Sequence, residues 1–196
     1  MCTQIKRRLQ FNLRYLGKPP WDTGVSPPEL IRYLKRSEPG RALDIGCGSG
    51  TNLLTIAEFG WRVVGVDITF LSVYRARKKL HQAGFEGTVL HRDVAGIINL
   101  DGNFDLVLDI GCFHSLSAQG RKTYRKNLTR WLKVGGTYLL YAHQRTSSGS
   151  SHGISEEDIA AFTSFLELTW RKDSPERRPG SGGGRPSSWQ CYNRLE

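Results

Sequence analysis

Apolar residues fall along this chain in short runs bounded by polar, glycine-rich turns, and between the runs they recur at helical spacing. The runs Ala42 to Ile45, Trp61 to Val66, Thr88 to His91, Phe104 to Asp109 and Thr137 to Ala142 predict five strands. They are rich in Val, Leu and Ile, as strands covered on both faces are. Leu53, Leu54 and Ala57 make a helical stripe ended by Gly60, and Val73, Ala76, Leu80 and Ala83 make another before Gly84. Further on, Tyr124, Leu128, Trp131 and Leu132 share one helix face, which places the basic residues between Arg121 and Lys133 on the outward face. This alternation from Arg41 onward predicts an α/β fold with a doubly wound, mostly parallel sheet.

The pattern changes after the fifth strand. Ser155 as N-cap, Asp158 at N3, and Ile154 with Ile159 as a hydrophobic staple predict a helix start, with Phe162, Phe165 and Leu166 continuing its apolar face. Strands around Leu168 to Arg171 and Ser188 to Arg194 follow. The loop joining them, Arg177 to Pro186, has too little apolar surface to offset its ordering entropy. At the other end, a helical pattern runs from about Gln4 to Tyr15, then Gly17-Lys18-Pro19-Pro20-Trp21-Asp22-Thr23-Gly24, then a helix opening near Pro28. The chain therefore reads as one domain, 1–196. Residues 1–40 form a helical layer, 41–145 the binding core, and 146–196 a helix and hairpin.

A chain of 196 residues is long enough to bury about 70% of its unfolded surface. No run approaches the length of a membrane span, the first residues lack the apolar stretch of a secretory signal, and the four cysteines are widely separated. These observations predict a cytoplasmic protein with reduced thiols and no membrane association; they say nothing of oligomeric state. The formal charge of +10 raises the question of nucleic acid. Eight Lys/Arg face two acids, Asp22 and Glu29, within residues 1–36, but no aromatic RNA-binding signature or finger motif accompanies them. A solvated basic surface is favoured, and a non-catalytic RNA-binding module is the lower-ranked alternative.

The chemistry concentrates at strand ends. Leu43-Asp44-Ile45-Gly46-Cys47-Gly48-Ser49-Gly50 closes the first strand with glycines that let a ligand approach the backbone. Its spacing, G-x-G-x-G, differs by one residue from the dinucleotide fingerprint G-x-G-x-x-G. Asp67 closes the second strand, where a carboxylate accepts from both ribose hydroxyls; an NAD site asks for the same acid, so NAD stays open at this point. Asp93 follows the third strand, where a carboxylate can accept from an adenine amino group while the Val94 amide faces a ring nitrogen. His114 lies just past the fourth strand and reads either as a group that orients or deprotonates a substrate or as a core histidine bonded to backbone. Cys112 reads as a small buried apolar residue, His143 as loop polarity, and His81 and His152 as surface residues. No histidines or carboxylates pair at ligand spacing, so no metal is predicted.

Together these residues resemble the class I S-adenosylmethionine-dependent methyltransferases from about Arg41 to Tyr141. The resemblance implies a Rossmann-like seven-stranded sheet of order 3-2-1-4-5-7-6 with an antiparallel C-terminal hairpin. It also implies that Asp44 to Gly50 lies along the methionine part of S-adenosylmethionine, that Asp67 holds the ribose, and that Asp93 holds the adenine. The segment Asp109-Ile110-Gly111-Cys112-Phe113-His114, the Pro19 to Gly24 stretch and Ser188 to Tyr192 are similar to the small-molecule branch that includes tellurite-resistance, thiopurine and thiol methyltransferases. The chain has neither a [DN]-P-P-[YF] motif nor a Pro-Cys nucleophile. The implied cofactor residues are Trp21, Asp44, Gly46, Cys47, Gly48, Asp67, Ile68, Asp93, Val94 and Asp109, with Asp109 facing the sulfonium or amino group. The implied substrate residues are Tyr15, Trp21, His114 and Arg145, with His114 the catalytic candidate and Trp21 on a lid over the cofactor end of the sheet, or else an anchor of the segment to the core. The expected acceptor is a small molecule reacting through sulfur or a related soft atom; oxygen or nitrogen of a metabolite is the alternative.

Overall fold

The glycine-ended strand that opens the binding core runs Arg41–Ile45 (β1), and the chain around it follows the predicted alternation. The structure is a computed structural model that describes residues 11–15, 17, 19–145, 153–175 and 186–196. It divides after Val94 into two compact units.

In the first unit, residues 11–14 are helical and Tyr15 sits in a turn; the rest of the predicted Gln4 to Tyr15 helix lies outside the described residues. Helix α1 (Pro28–Leu34) starts with proline in its first turn, where a missing N–H removes no helical bond, and buries Leu30 and Leu34. After β1 come α2 (Thr51–Glu58), β2 (Arg62–Asp67), α3 (Phe70–Gln82) and β3 (Gly87–His91). β2 pairs in parallel with both β1 and β3, aligning Leu43 with Val64 and Val66 with Leu90. Val73, Ala76 and Leu80 form the buried stripe of α3, as their spacing predicts. Gly50 caps α2 at φ 83°, a left-handed conformation that suits glycine.

The second unit contains β4 (Phe104–Ile110), a 3-10 turn at Phe113–Ser115, α4 (Ala118–Trp131), β5 (Leu132–His143), α5 (Glu156–Ala160), β6 (Leu166–Pro175) and β7 (Pro186–Arg194). β5 lies parallel to β4, while β7 runs antiparallel to both β5 and β6. The sheet order is β3-β2-β1-β4-β5-β7-β6, the order that the family resemblance implies. Its aromatic core joins Phe113, Tyr124, Tyr138, Phe162 and Tyr192, with Phe113 5.0 Å from Tyr124 and 5.1 Å from Phe162, ring centre to ring centre.

Two boundaries differ from expectation for physical reasons. β5 begins at Leu132 rather than Thr137, because Leu132 pairs with Phe104 directly after α4 and the register then shifts. α5 stops at Ala160 instead of continuing through Leu166: Phe162 turns into the aromatic core and Leu166 opens β6. The capping box of Ser155 and Asp158 forms as read, with Ile154 and Ile159 buried. The α4 face also needs correction. Lys122, Lys126 and Arg130 are exposed, but Arg121 is 3% exposed, because it stands three residues before Tyr124 on the apolar side. The expected 177–186 loop lies outside the described residues except for Pro186, which opens β7. Among the described residues no helix is long and apolar enough to cross a membrane.

Candidate functional site

The glycine loop is tied to the strand beside it. Gly46 and Cys47 both donate their amides to the Val66 carbonyl, at 2.7 and 3.1 Å, and Gly50 closes the turn onto the Cys47 carbonyl. The Gly48 amide donates to Asp67 Oδ2 at 3.0 Å, while the Thr69 amide and hydroxyl donate to Oδ1 at 2.8 and 2.9 Å. The Thr69 hydroxyl also bonds the Ser72 hydroxyl. Asp67 is 8% exposed; burial pushes its pKa up, and the Thr69 and Gly48 bonds oppose that rise. Ile68 and Asp93 are half-buried, and Asp44, Cys47 and Val94 are buried. The Ile68 carbonyl accepts from His91 Nε2 at 2.9 Å, so His91, placed by its sequence only at the end of a strand, fixes the segment after Asp67.

Tyr15 and Trp21 meet over this loop. Trp21 Nε1 donates to the Tyr15 hydroxyl at 3.3 Å, the two rings stand edge to face, and Arg14 covers the Trp21 ring at 5.2 Å. Tyr15 is 4% exposed, and its hydroxyl would lie 2.8 Å from a Cβ placed on Gly48, so the loop leaves no room for a side chain there. Burial, with Asp67 nearby, pushes the phenol pKa up to about 12. Trp21 remains 45% exposed. Tyr15, read as a substrate residue, thus belongs with the glycine loop.

In the second unit the structure redirects Asp109. Its carboxylate is 0% exposed, with Oδ1 accepting from the Cys112 amide at 2.8 Å and Oδ2 from the Phe113 amide at 3.0 Å and the Tyr124 hydroxyl at 2.7 Å. Asp109 therefore holds the loop that follows β4 rather than facing a sulfonium. Burial pushes its pKa up to about 7 against those three donors. Cys112 is half-buried, not enclosed as expected.

His114, in the 3-10 turn directly after Phe113, is buried, and its Nδ1 accepts from the His143 amide at 3.1 Å. The His143 ring packs 4.7 Å away, so His143, read as loop polarity, belongs to this cluster. Arg121 donates to the His114 carbonyl at 3.2 Å, to the Gly153 carbonyl at 2.7 Å, and to Asp158. Its guanidinium also covers the Phe113 ring at 5.6 Å. Arg145, expected to contact the substrate, stands 3.8 Å from Asp158 Oδ2 and is one-third exposed. His81 is on the surface, and His152 lies outside the described residues. Among the described residues no three His, Cys, Asp or Glu side chains converge as a metal set.

The first unit's residues fit S-adenosylmethionine: a side-chain-free loop at Gly48, a buried carboxylate at the end of β2, and a carboxylate with a following amide after β3. Residues 42–136 match the methyltransferase domain family. An uncharacterised methyltransferase of Schizosaccharomyces pombe is 30% identical over 105 residues, 54% of this chain and 72% of that protein. The chain belongs to the class I S-adenosylmethionine-dependent methyltransferases. The 2-heptyl-1-hydroxyquinolin-4(1H)-one methyltransferase of Mycobacteroides abscessus is 28% identical over 178 residues, 86% of this chain and 76% of that one. A probable thiol methyltransferase 2 of Arabidopsis thaliana is 27% identical over 150 residues, covering 71% of this methyltransferase and 64% of its own length. The fold matches that of the N-methyltransferase NodS of Bradyrhizobium japonicum, solved with S-adenosylhomocysteine, at a TM-score of 0.80 and 18% identity over 96% of this chain and 98% of that one.

Proposed function

We propose that this methyltransferase acts in the cytoplasm on a small-molecule nucleophile, through sulfur or a related soft atom. The observation that carries the reading is the segment from Asp109 to His114, which ends β4 with a buried acid bracing the loop and a histidine fixed through Nδ1. The similarity to a hydroxyquinolone methyltransferase across most of both chains, and to a probable thiol methyltransferase, supports a small acceptor. S-adenosylmethionine supplies an electrophilic methyl group, so the protein has mainly to align and desolvate the nucleophile. Gly46, Gly48, Asp67, Asp93 and the Val94 amide are the residues that hold the donor, and His114 is the residue that orients the acceptor. Arg145, one-third exposed, offers an anionic acceptor a second contact in competition with Asp158.

The hydroxyquinolone relative favours a second reading, methylation of an oxygen on a heteroaromatic ring. Release of S-adenosylhomocysteine measured across aryl thiols, an N-hydroxyquinolone, phenols and amines separates the two. Turnover of thiols supports sulfur, turnover of the N-hydroxy compound alone supports oxygen, and silence with every small acceptor overturns the proposal. Salt-dependent RNA binding in that silent case moves the reading to the basic surface.

A further inference from the structure

The exposed positions of α3 are Phe70, Tyr74, Arg77, Lys78, His81 and Gln82, on the side away from the buried Val73, Ala76 and Leu80. An ordinary solvent face interleaves charges of both signs. This one does not. α3 carries Arg75, Arg77, Lys78 and Lys79 with neither Asp nor Glu, and its two large apolar residues in solvent are rings, Phe70 at 64% and Tyr74 at 55% exposed. Spaced by four, the rings share a face one turn apart, about 6 Å along the axis.

The helix alone gives no reason for this pattern. Its dipole favours cations in the last turn, which accounts for Lys79 and His81 but not for Arg75, a like charge to Lys78 and Lys79 at i+3 and i+4. Arg75 and Arg77 donate to neutral carbonyls, those of Gly17 at 3.1 Å and Val89 at 3.0 Å; among the described residues neither they nor Lys78 forms an ion pair. On one flank of the helix an open cleft of about 390 Å³ is lined by Arg75, Lys78 and Lys79 together with Ser49 and one carboxylate, Asp22. On the other flank Phe70 meets the His91 ring edge to face at 6.1 Å, which brings the end of the edge strand β3, followed by the exposed Arg92, beside the ring. Glu86 and Asp93 are the acids of the segments that flank β3.

We infer that this face of α3 binds single-stranded RNA, with phosphates on the cations and bases against Phe70 and Tyr74. Charge selects a polyanion, since the helix is cationic throughout and the chain carries +10. The rings select among polyanions. Flat exposed rings set among cations make a stacking platform for unpaired bases, whereas a duplex hides the faces of its bases and offers phosphates. A lipid surface needs a whole apolar helix face to bury, and the apolar face of α3 is already taken by the core.

The experiment is fluorescence anisotropy of a dye-labelled RNA of about 15 unpaired nucleotides, titrated with the full chain at several salt concentrations. Binding that weakens with salt and is tighter for the single strand than for a duplex of equal length is expected. Phe70→Leu with Tyr74→Leu keeps apolar bulk and removes both flat faces. That pair is expected to cost about tenfold or more in affinity, while Phe70→Tyr with Tyr74→Phe stays within about twofold. Arg77→Gln with Lys78→Gln is expected to lower the slope of log affinity against log salt by about 1.4, the share of two phosphates. S-adenosylhomocysteine affinity checks that each variant keeps its donor site, and Tyr74→Ala, one exposed residue, carries the stacking test if the Leu pair does not. Equal affinities for the native and Leu proteins, a duplex bound as tightly as the single strand, or stronger binding to vesicles of phosphatidylserine and phosphatidylcholine than to RNA each overturn the inference. So does an absence of RNA binding at about 50 mM salt, where phosphate contacts are strong.

Discussion

The Gly48 amide and the Asp67 carboxylate are joined by a 3.0 Å hydrogen bond, so the acid that ends β2 braces the glycine loop that ends β1. The same carboxylate receives the Thr69 amide and hydroxyl, which ties the loop to the start of α3. Replacing Asp67 with Ala removes this brace together with the acceptor proposed for the ribose hydroxyls. Affinity for S-adenosylhomocysteine is expected to fall by about 1 to 3 kcal/mol, measured by calorimetry. Unchanged affinity removes Asp67 from the site.

Gly48 and Tyr15 make a second, steric test. A Cβ at Gly48 would meet the Tyr15 hydroxyl at 2.8 Å, whereas the next Tyr15 atom, Cζ, stands 3.9 Å away. Gly48→Ala is expected to weaken cofactor binding, since the left-handed φ of 53° costs an alanine about 1 kcal/mol and the phenol must move. Tyr15→Phe removes the clashing atom at the expense of the bond from Trp21, about 1 kcal/mol. The double variant should therefore bind better than Gly48→Ala alone. Strict additivity of the two losses contradicts the packing described.

Most of the frame was legible in the sequence because doubly covered strands are apolar runs and helices close at glycines; Ala42 to Ile45 and Val73 to Leu80 show both signals. The signals fail where one residue type serves two geometries. Asp109 ends a strand just as Asp67 does, and no spacing rule reveals that it turns back onto the Cys112 and Phe113 amides. Phe162 continues a helical stripe in sequence yet leaves the helix, because an aromatic core three elements away takes its ring. Arg121 carried a readable sign, its spacing of three from Tyr124, but a cation on an apolar face becomes intelligible only with Asp158 and two carbonyls around it.

That arginine sets a stability test. Arg121→Met takes one donor from the His114 carbonyl, which keeps the Gly153 amide, takes the Arg121 bond from the Gly153 carbonyl, and leaves Asp158 with Ser155 and the more distant Arg125 and Arg145 at 4.0 and 3.8 Å. Breaking a largely buried pair from one side costs about 3 kcal/mol or more. Urea unfolding should show that loss, and adding Asp158→Asn should recover part of it. A single variant within about 0.5 kcal/mol of the native protein shows that the brace is not needed.

Asp109 predicts a pH dependence with a definite sign. Its folded pKa is raised to about 7 by burial, whereas an unfolded aspartate titrates near 4. Between those values the folded chain holds a proton that the unfolded chain has released. The contribution of Asp109 to stability is therefore full below about pH 4, declines as pH rises, and levels off above about pH 7. Asp109→Asn is the matched comparison. Its carbonyl can still accept the Cys112 and Phe113 amides, its NH2 can donate to the Tyr124 hydroxyl, and it does not titrate. The native protein's unfolding free energy minus that of the Asn variant is expected to fall across about pH 4 to 7, by at most about 1.4 kcal/mol per pH unit, and then to flatten. A difference that is flat, or that rises with pH, shows that Asp109 is ionised within its ordinary range. The loop leading to His114 would then be held by a fixed charge at every working pH.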